Sequence, residues 1–185
     1  MRIAGVEKES VVDGTGIRLS LFVSGCTRRC TGCFNPEAWD FNYGTKLDAA
    51  LMERIIAELR KPHYDGLTIL GGEPFELSNQ MGVSEIVKTV KWSAPDKSIW
   101  IYTGCVYEDD LTPGGNKHTD WTDYILDHID ALVDGPYVER LKDMSLAFRG
   151  SGNQRIIDMK RTRESGKVVL VGEQTKPERR ALKRR

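Results

Sequence analysis

Gly25-Cys26-Thr27-Arg28-Arg29-Cys30-Thr31-Gly32-Cys33-Phe34 gathers three cysteines into one short stretch flanked by glycine. Thiolates suit iron, and cysteine is the usual ligand of iron–sulfur clusters. A C-x3-C-x2-C spacing supplies three ligands. A four-iron cluster held by Cys26, Cys30 and Cys33 therefore keeps one iron without a protein ligand, open to chemistry. The spacing is tight enough to need a loop. Gly25 and Gly32 permit one, because glycine reaches backbone angles closed to other residues and lets the chain pass close to a bulky group. Two other readings compete, a structural zinc site and a disulfide pair. Structural zinc takes four protein ligands, yet the remaining cysteine, Cys105, lies far along the chain, and His63, His118 and His128 form no closely spaced pair. Disulfide frameworks belong to short secreted chains with even cysteine counts. Here the local count is odd and the chain opens Met1-Arg2-Ile3-Ala4-Gly5, with no apolar leader.

Outward from the loop, the chain reads as alternating strands and helices. Ile17-Arg18-Leu19-Ser20-Leu21-Phe22-Val23 alternates at period two and runs into the cysteines, so a strand delivers the ligands from its C-terminal end. Leu47, Leu51, Ile55 and Leu59 recur every four residues and mark an amphipathic helix. Leu67-Thr68-Ile69-Leu70 is the next strand, Val83, Ile86, Val87 and Val90 the next helix, and Ser98-Ile99-Trp100-Ile101-Tyr102 a third strand. A short helix over 124–129 and a fourth strand, Ala131-Leu132-Val133-Asp134, follow. Repeated βα units predict a parallel sheet. A closed eight-unit barrel needs about 250 residues, and this chain has 185. The expected fold is therefore α/β, an open partial (βα) barrel of parallel strands. Functional residues of such sheets collect at the C-terminal strand ends, where the cysteine loop, Gly71-Gly72-Glu73, Thr103-Gly104-Cys105 and Asp134-Gly135-Pro136 all fall. In the segment Gly71-Gly72-Glu73-Pro74, two glycines at a strand end expose carbonyls that can accept from an ammonium group, and Pro74 stops the strand.

Composition narrows the classes. With 39% apolar and 29% charged residues the chain matches a globular protein. No run approaches the roughly 18 apolar residues of a membrane helix, so a cytoplasmic protein is expected, in a compartment where thiols stay reduced. Net charge is zero but uneven: residues 159–185 carry +7 and residues 1–158 carry −7. Two segments are therefore expected, a catalytic domain over 1–158 and a basic C-terminal extension over 159–185. In the extension, residues 167–171 can add a strand and residues 176–185 read as a disordered, solvated end. Contact of that tail with nucleic acid is the weaker reading.

The cysteine triplet followed by an aromatic, Phe34, resembles the signature loop of the radical S-adenosylmethionine (SAM) enzymes, and Gly71-Gly72-Glu73-Pro74 resembles their second motif. The resemblance implies a [4Fe–4S] cluster on Cys26, Cys30 and Cys33 whose fourth iron is chelated by SAM. One-electron reduction would then release a 5′-deoxyadenosyl radical. Gly32, Cys33 and Phe34 would lie against SAM, and Gly71, Gly72 and Glu73 would contact its amino acid end. Four further segments, Val12-Asp13-Gly14-Thr15-Gly16-Ile17-Arg18, Trp100-Ile101-Tyr102-Thr103-Gly104, Val133-Asp134-Gly135-Pro136-Tyr137 and Phe148-Arg149-Gly150-Ser151-Gly152-Asn153-Gln154-Arg155, narrow the likeness. Together they resemble the activating proteins of anaerobic (class III) ribonucleotide reductases, small activases that generate a glycyl radical. The implied partners are the large subunit of that reductase and a reduced donor of flavodoxin or ferredoxin type. Cys105 departs from the pattern, standing where an aromatic is expected, and is read as a buried core or site-wall residue. The alternative is a small radical SAM enzyme acting on a small molecule, similar to 7-carboxy-7-deazaguanine synthase. A non-enzymatic iron–sulfur or zinc module gives Glu73 no purpose, and residues 149–155 favour the activase.

Overall fold

The structure, a computed structural model, describes residues 1–172. The expected disordered end at 176–185 lies outside the described residues. Seven strands form one open sheet in the order β3-β1-β2-β4-β5-β6-β7, where β1 is Arg2–Ser10, β2 Arg18–Val23, β3 Thr45–Lys46, β4 Gly66–Gly71, β5 Ser98–Tyr102, β6 Ala131–Asp134 and β7 Arg155–Asp158. The helices are α1 (Ala49–Leu59), α2 (Leu77–Ser93), α3 (Asp120–His128) and α4 (Met159–Ser165). The expectation of an all-parallel sheet is corrected. Only the pairings among β2, β4, β5 and β6 are parallel, while those of β3 with β1, β1 with β2 and β7 with β6 are antiparallel. The cause is connectivity. A parallel neighbour needs a long crossover, usually helical, but β1 turns directly into β2, and no α-helix lies between β6 and β7.

Register divides the sheet into two faces. Leu21, Ile69, Ile101, Leu132 and Ile157 are successive cross-strand partners and form one apolar row. They join a single core with Ile55 and Leu59 of α1, Val83, Ile86, Val87 and Val90 of α2, Ile125 of α3 and Met159 of α4. All four helices thus cover the same face. On the opposite face, Ser20, Thr68, Trp100 and Ala131 are partners, and cover comes from loops. Phe148 stacks edge-on against Trp100 with ring centroids 5.7 Å apart, Val171 packs on the same small cluster, and Thr68 Oγ1 donates to the Asp13 carbonyl at 2.8 Å.

Local chemistry explains the ends of the helices. Asp48 caps α1 by accepting from the Leu51 amide at 2.8 Å, Thr119 and Thr122 form a reciprocal capping box on α3, and Asp158 caps α4. Such caps contribute about 1 kcal/mol each. α4 ends at Gly166 in the left-handed region, φ 66°. After it, Val169 and Val171 exchange backbone bonds with Asp158 and Ile156. Residues 167–171 therefore line the edge of β7, with a single bridge from Leu170 to Ile157 in place of a full strand. Among the described residues, no helix is long and apolar enough to cross a membrane.

Candidate functional site

The cysteine loop begins where β2 leaves the sheet, and its first residues are fastened by backbone bonds. Ser24 donates to Arg2, Gly25 to Ala38 and Cys26 to Trp39, the last two lying in the short 3-10 turn Pro36–Trp39 that folds back over the loop. From the neighbouring strand end, the Gly72 amide donates to Val23 at 2.7 Å and the Glu73 amide to Gly25 at 2.9 Å. The two motifs singled out in the sequence are thus brought into direct contact. Gly72 is glycine for a packing reason, since a Cβ there would stand 2.6 Å from the Gly25 carbonyl and 2.9 Å from that of Val23. Gly25, at φ 97°, makes room for the ring of Phe41 in the same way.

Cys26 is buried, Cys30 and Cys33 are half-buried, and all four cysteines are free thiols. Burial pushes the Cys26 thiol up, and the Arg28 and Arg29 amides that point back at the sulfur oppose it. The Cys33 amide donates to the Cys30 carbonyl at 3.2 Å, closing the turn that carries the second and third thiols. Among the described residues, no three His, Cys, Asp or Glu side chains gather round one ion-sized point. A cubane asks for something different, one thiolate at each of three separate irons, and three thiols spread along a glycine-hinged loop suit it. Beside Cys26 opens a cleft of about 840 Å³ walled by Thr27, Arg29, Glu37, Trp39 and Phe41. Phe34 is 74% exposed and stands edge-on to Phe22, with ring centroids 6.3 Å apart.

Glu73 faces inward. Its carboxylate is fully buried and accepts from the Phe75 amide (3.0 Å), the Thr103 hydroxyl (2.6 Å) and the Gly104 amide (2.8 Å), which locks the end of β4 to the end of β5. Burial pushes its pKa up, against these donors. Any contact of this residue with a bound amino acid is therefore left to its backbone. The guanidinium of Arg28 lies over Gly104, so the cysteine loop also reaches β5. Cys105, next in sequence, is completely buried in the helix-side core, with its thiol pushed up to about 12 by burial.

A third contact comes from the segment after β6. Glu139, which accepts from Tyr137, presses against Gly32, whose missing side chain leaves it room. The strand end itself is held by the motif at 149–155. Asn153 donates to the Pro136 carbonyl at 2.7 Å and Gln154 to that of Gly135 at 3.2 Å. Arg155 is bonded to Glu108 and to the buried Asp134, which raises its already high pKa further. Residues 149–155 and 135–138 thus form one braced wall on the β6 side of the loop. Glu76 was not singled out in the sequence. Its carboxylate accepts from both the amide (2.8 Å) and hydroxyl (2.5 Å) of Thr27, the residue after Cys26, and pairs with Lys117 at 2.6 Å. Its place three residues after Glu73 was the available signal.

Residues 12–157 match the family model of the 4Fe-4S single cluster domain. The chain is 38% identical over 148 residues to the anaerobic ribonucleoside-triphosphate reductase-activating protein of Haemophilus influenzae, covering 79% of this chain and 90% of that one. It is 36% identical to the protein of the same name from Vibrio cholerae, with the same coverage. The counterpart of Enterobacteria phage T4 is 34% identical over 145 residues, 78% of this chain and 86% of the phage protein. A cysteine loop braced by three strand ends, within a matching 4Fe-4S domain and at this level of identity, makes the chain a member of the anaerobic ribonucleoside-triphosphate reductase-activating protein family.

Proposed function

We propose that this protein is a radical SAM activase that generates a glycyl radical on an anaerobic ribonucleoside-triphosphate reductase. The observation that carries the reading is the junction of the cysteine loop with Gly72 and Glu73, in a chain of that activating-protein family. Cys26, Cys30 and Cys33 hold a [4Fe–4S] cluster. Gly32, Cys33 and Phe34 on one side and the backbone of Gly71, Gly72 and Glu73 on the other bind and orient SAM. When bound, cluster and SAM together supply one-electron cleavage of SAM and removal of a hydrogen atom from a backbone glycine, chemistry that belongs to the cofactors. The protein positions and shields. Glu73 fixes the strand ends, the 3-10 turn at Pro36–Trp39 covers one side of the cysteine loop, and a polypeptide loop reaches the cysteines from the side where Thr31, Gly32 and Phe34 are exposed.

A protein substrate suits the surroundings of the loop. Phe34 and Met144, 74% and 88% exposed, project from the two segments that meet at Gly32 and Glu139. Both side chains are free, in this reading, to meet an apolar surface of the partner. In this reading the braced wall at 149–155 shapes the entrance for the large subunit of the reductase, and a reduced flavodoxin or ferredoxin delivers the electron in the cytoplasm. The test is anaerobic reduction with SAM, with and without the reductase. Expected are slow release of 5′-deoxyadenosine alone and radical formation on the reductase when it is present. Turnover of a small molecule by the isolated protein would instead make it a small-molecule enzyme.

A further inference from the structure

Glu76 occupies the N-cap position of α2 but does not cap its helix. Its carboxylate turns to the cysteine loop, where one oxygen takes both polar hydrogens of Thr27, and its other oxygen meets the Lys117 ammonium at 2.6 Å. The pair is largely withdrawn from water, the two side chains being 6% and 20% exposed. Lys117 is itself held from behind. Its carbonyl accepts from Gln80 (2.6 Å) and Thr122 (2.9 Å), both fully buried, and its amide donates to Asp110 at 3.0 Å. The backbone that carries the ammonium is therefore fixed, and Glu76 holds the ammonium itself.

We propose that Glu76 and Lys117 are positioning residues for the cluster loop, the carboxylate anchoring Thr27 beside Cys26 and the lysine cancelling the charge so introduced. The proposal rests on the reading of Cys26 as a cluster ligand. A carboxylate this close to the loop and this far from water acts through a low effective dielectric. Unpaired, it would oppose the addition of an electron to the cluster. Paired with Lys117, it holds the loop without that penalty. A buried ion pair stabilises little in net terms compared with apolar packing, so a fixed charge balance next to a redox centre is a better account of its place here than stability.

Two measurements test this, one of them independent of iron. In the iron-free protein, limited trypsin digestion at Arg28 and Arg29 reports how firmly the loop is held. Glu76→Gln and Thr27→Val should each speed that cleavage, by about tenfold for loss of a charge-assisted hydrogen bond, with cleavage elsewhere unchanged. In the reconstituted protein, the midpoint potential should rise in Glu76→Gln, fall in Lys117→Met, and return close to the wild-type value in the double variant, where the two opposite charge changes cancel. Unchanged cleavage overturns the anchoring. Potentials shifted in the same sense by both single variants, or not at all, overturn the charge balance. If the wild type takes up no iron while the cleavage pattern follows expectation, the anchoring stands and the cluster reading fails.

Discussion

One face of the sheet is dry, apolar and roofed by four helices; the other carries Arg18, Ser20, Thr68, Trp100 and Tyr102 and is roofed by loops alone. On the first, the row from Leu21 to Ile157 lies within the larger of the two apolar clusters. On the second, Arg18 is completely buried and makes hydrogen bonds to Thr68, Leu67, Ser98 and Thr15 while lying 5.4 Å over the Trp100 ring. Burial lowers its pKa to about 10. The hydroxyl of Tyr102 is buried with no hydrogen-bond partner among the described residues. The helix-covered face holds the main apolar core, and the C-terminal strand ends hold the cysteine loop.

Substitutions can break this contrast, and the largest effect is all-or-none. Replacing Cys26, Cys30 or Cys33 by Ala should abolish the four-iron, four-sulfide complement with the fold intact, whereas Cys105→Ala, in the helix-side core, should keep it. Iron and sulfide analysis after anaerobic reconstitution decides. On the helix-covered face, Ile69→Ala leaves a cavity in a closed core and should cost about 2–5 kcal/mol in urea unfolding. On the loop-covered face, Arg18→Met removes charged donors from neutral acceptors and should cost about 1.5–3 kcal/mol.

Acid and base separate the two carboxylates that brace the site. Glu76 has its pKa lowered from the ordinary 4.5, because its bonds to Lys117 and Thr27 outweigh the desolvation that pushes it up. Its stabilisation is complete above about pH 4.5 and is lost as pH falls through the folded value. Glu73 is raised by burial, so its contribution has the opposite sign: present below about pH 4.5 and lost as pH rises through the folded value. Unfolding free energies across that range should show Glu76→Gln flattening the acid limb and Glu73→Gln flattening the decline above it. The smallest effect is a gain. Tyr102→Phe removes a buried hydroxyl that lacks a partner and should raise stability by about 1 kcal/mol. A loss would mean that the hydroxyl is satisfied.

The cysteine loop and the strands β2, β4, β5 and β6 were legible because each combines a period-two or continuous apolar run with a functional motif at its C-terminal end. The antiparallel edges were not. In β1, Glu7, Lys8 and Glu9 are exposed in succession and Glu9 takes a positive φ of 57°, which erases alternation. In β7 only Ile156 and Ile157 are fully buried, and the polar run at 149–155 hides the strand it leads into. α2 begins at Leu77, ahead of the first periodic residue Val83, because Asn79 and Gln80 spend its opening turns on buried hydrogen bonds to Ser24 and Lys117. The Glu76–Lys117 pair escapes sequence reading for the same reason: its partners are distant in the chain and neither residue type is unusual where it stands.

In the proposed function the cysteine loop, held by three strand ends, serves to place a radical on another protein. The most direct measurement of that role is the electron paramagnetic resonance spectrum of an anaerobic mixture of reconstituted protein, reductant, SAM and a class III ribonucleotide reductase. A glycyl radical doublet is expected on the reductase, absent when Cys33→Ala replaces the wild type. A reduced cluster that cleaves SAM in that mixture while leaving the reductase without an organic radical would contradict it.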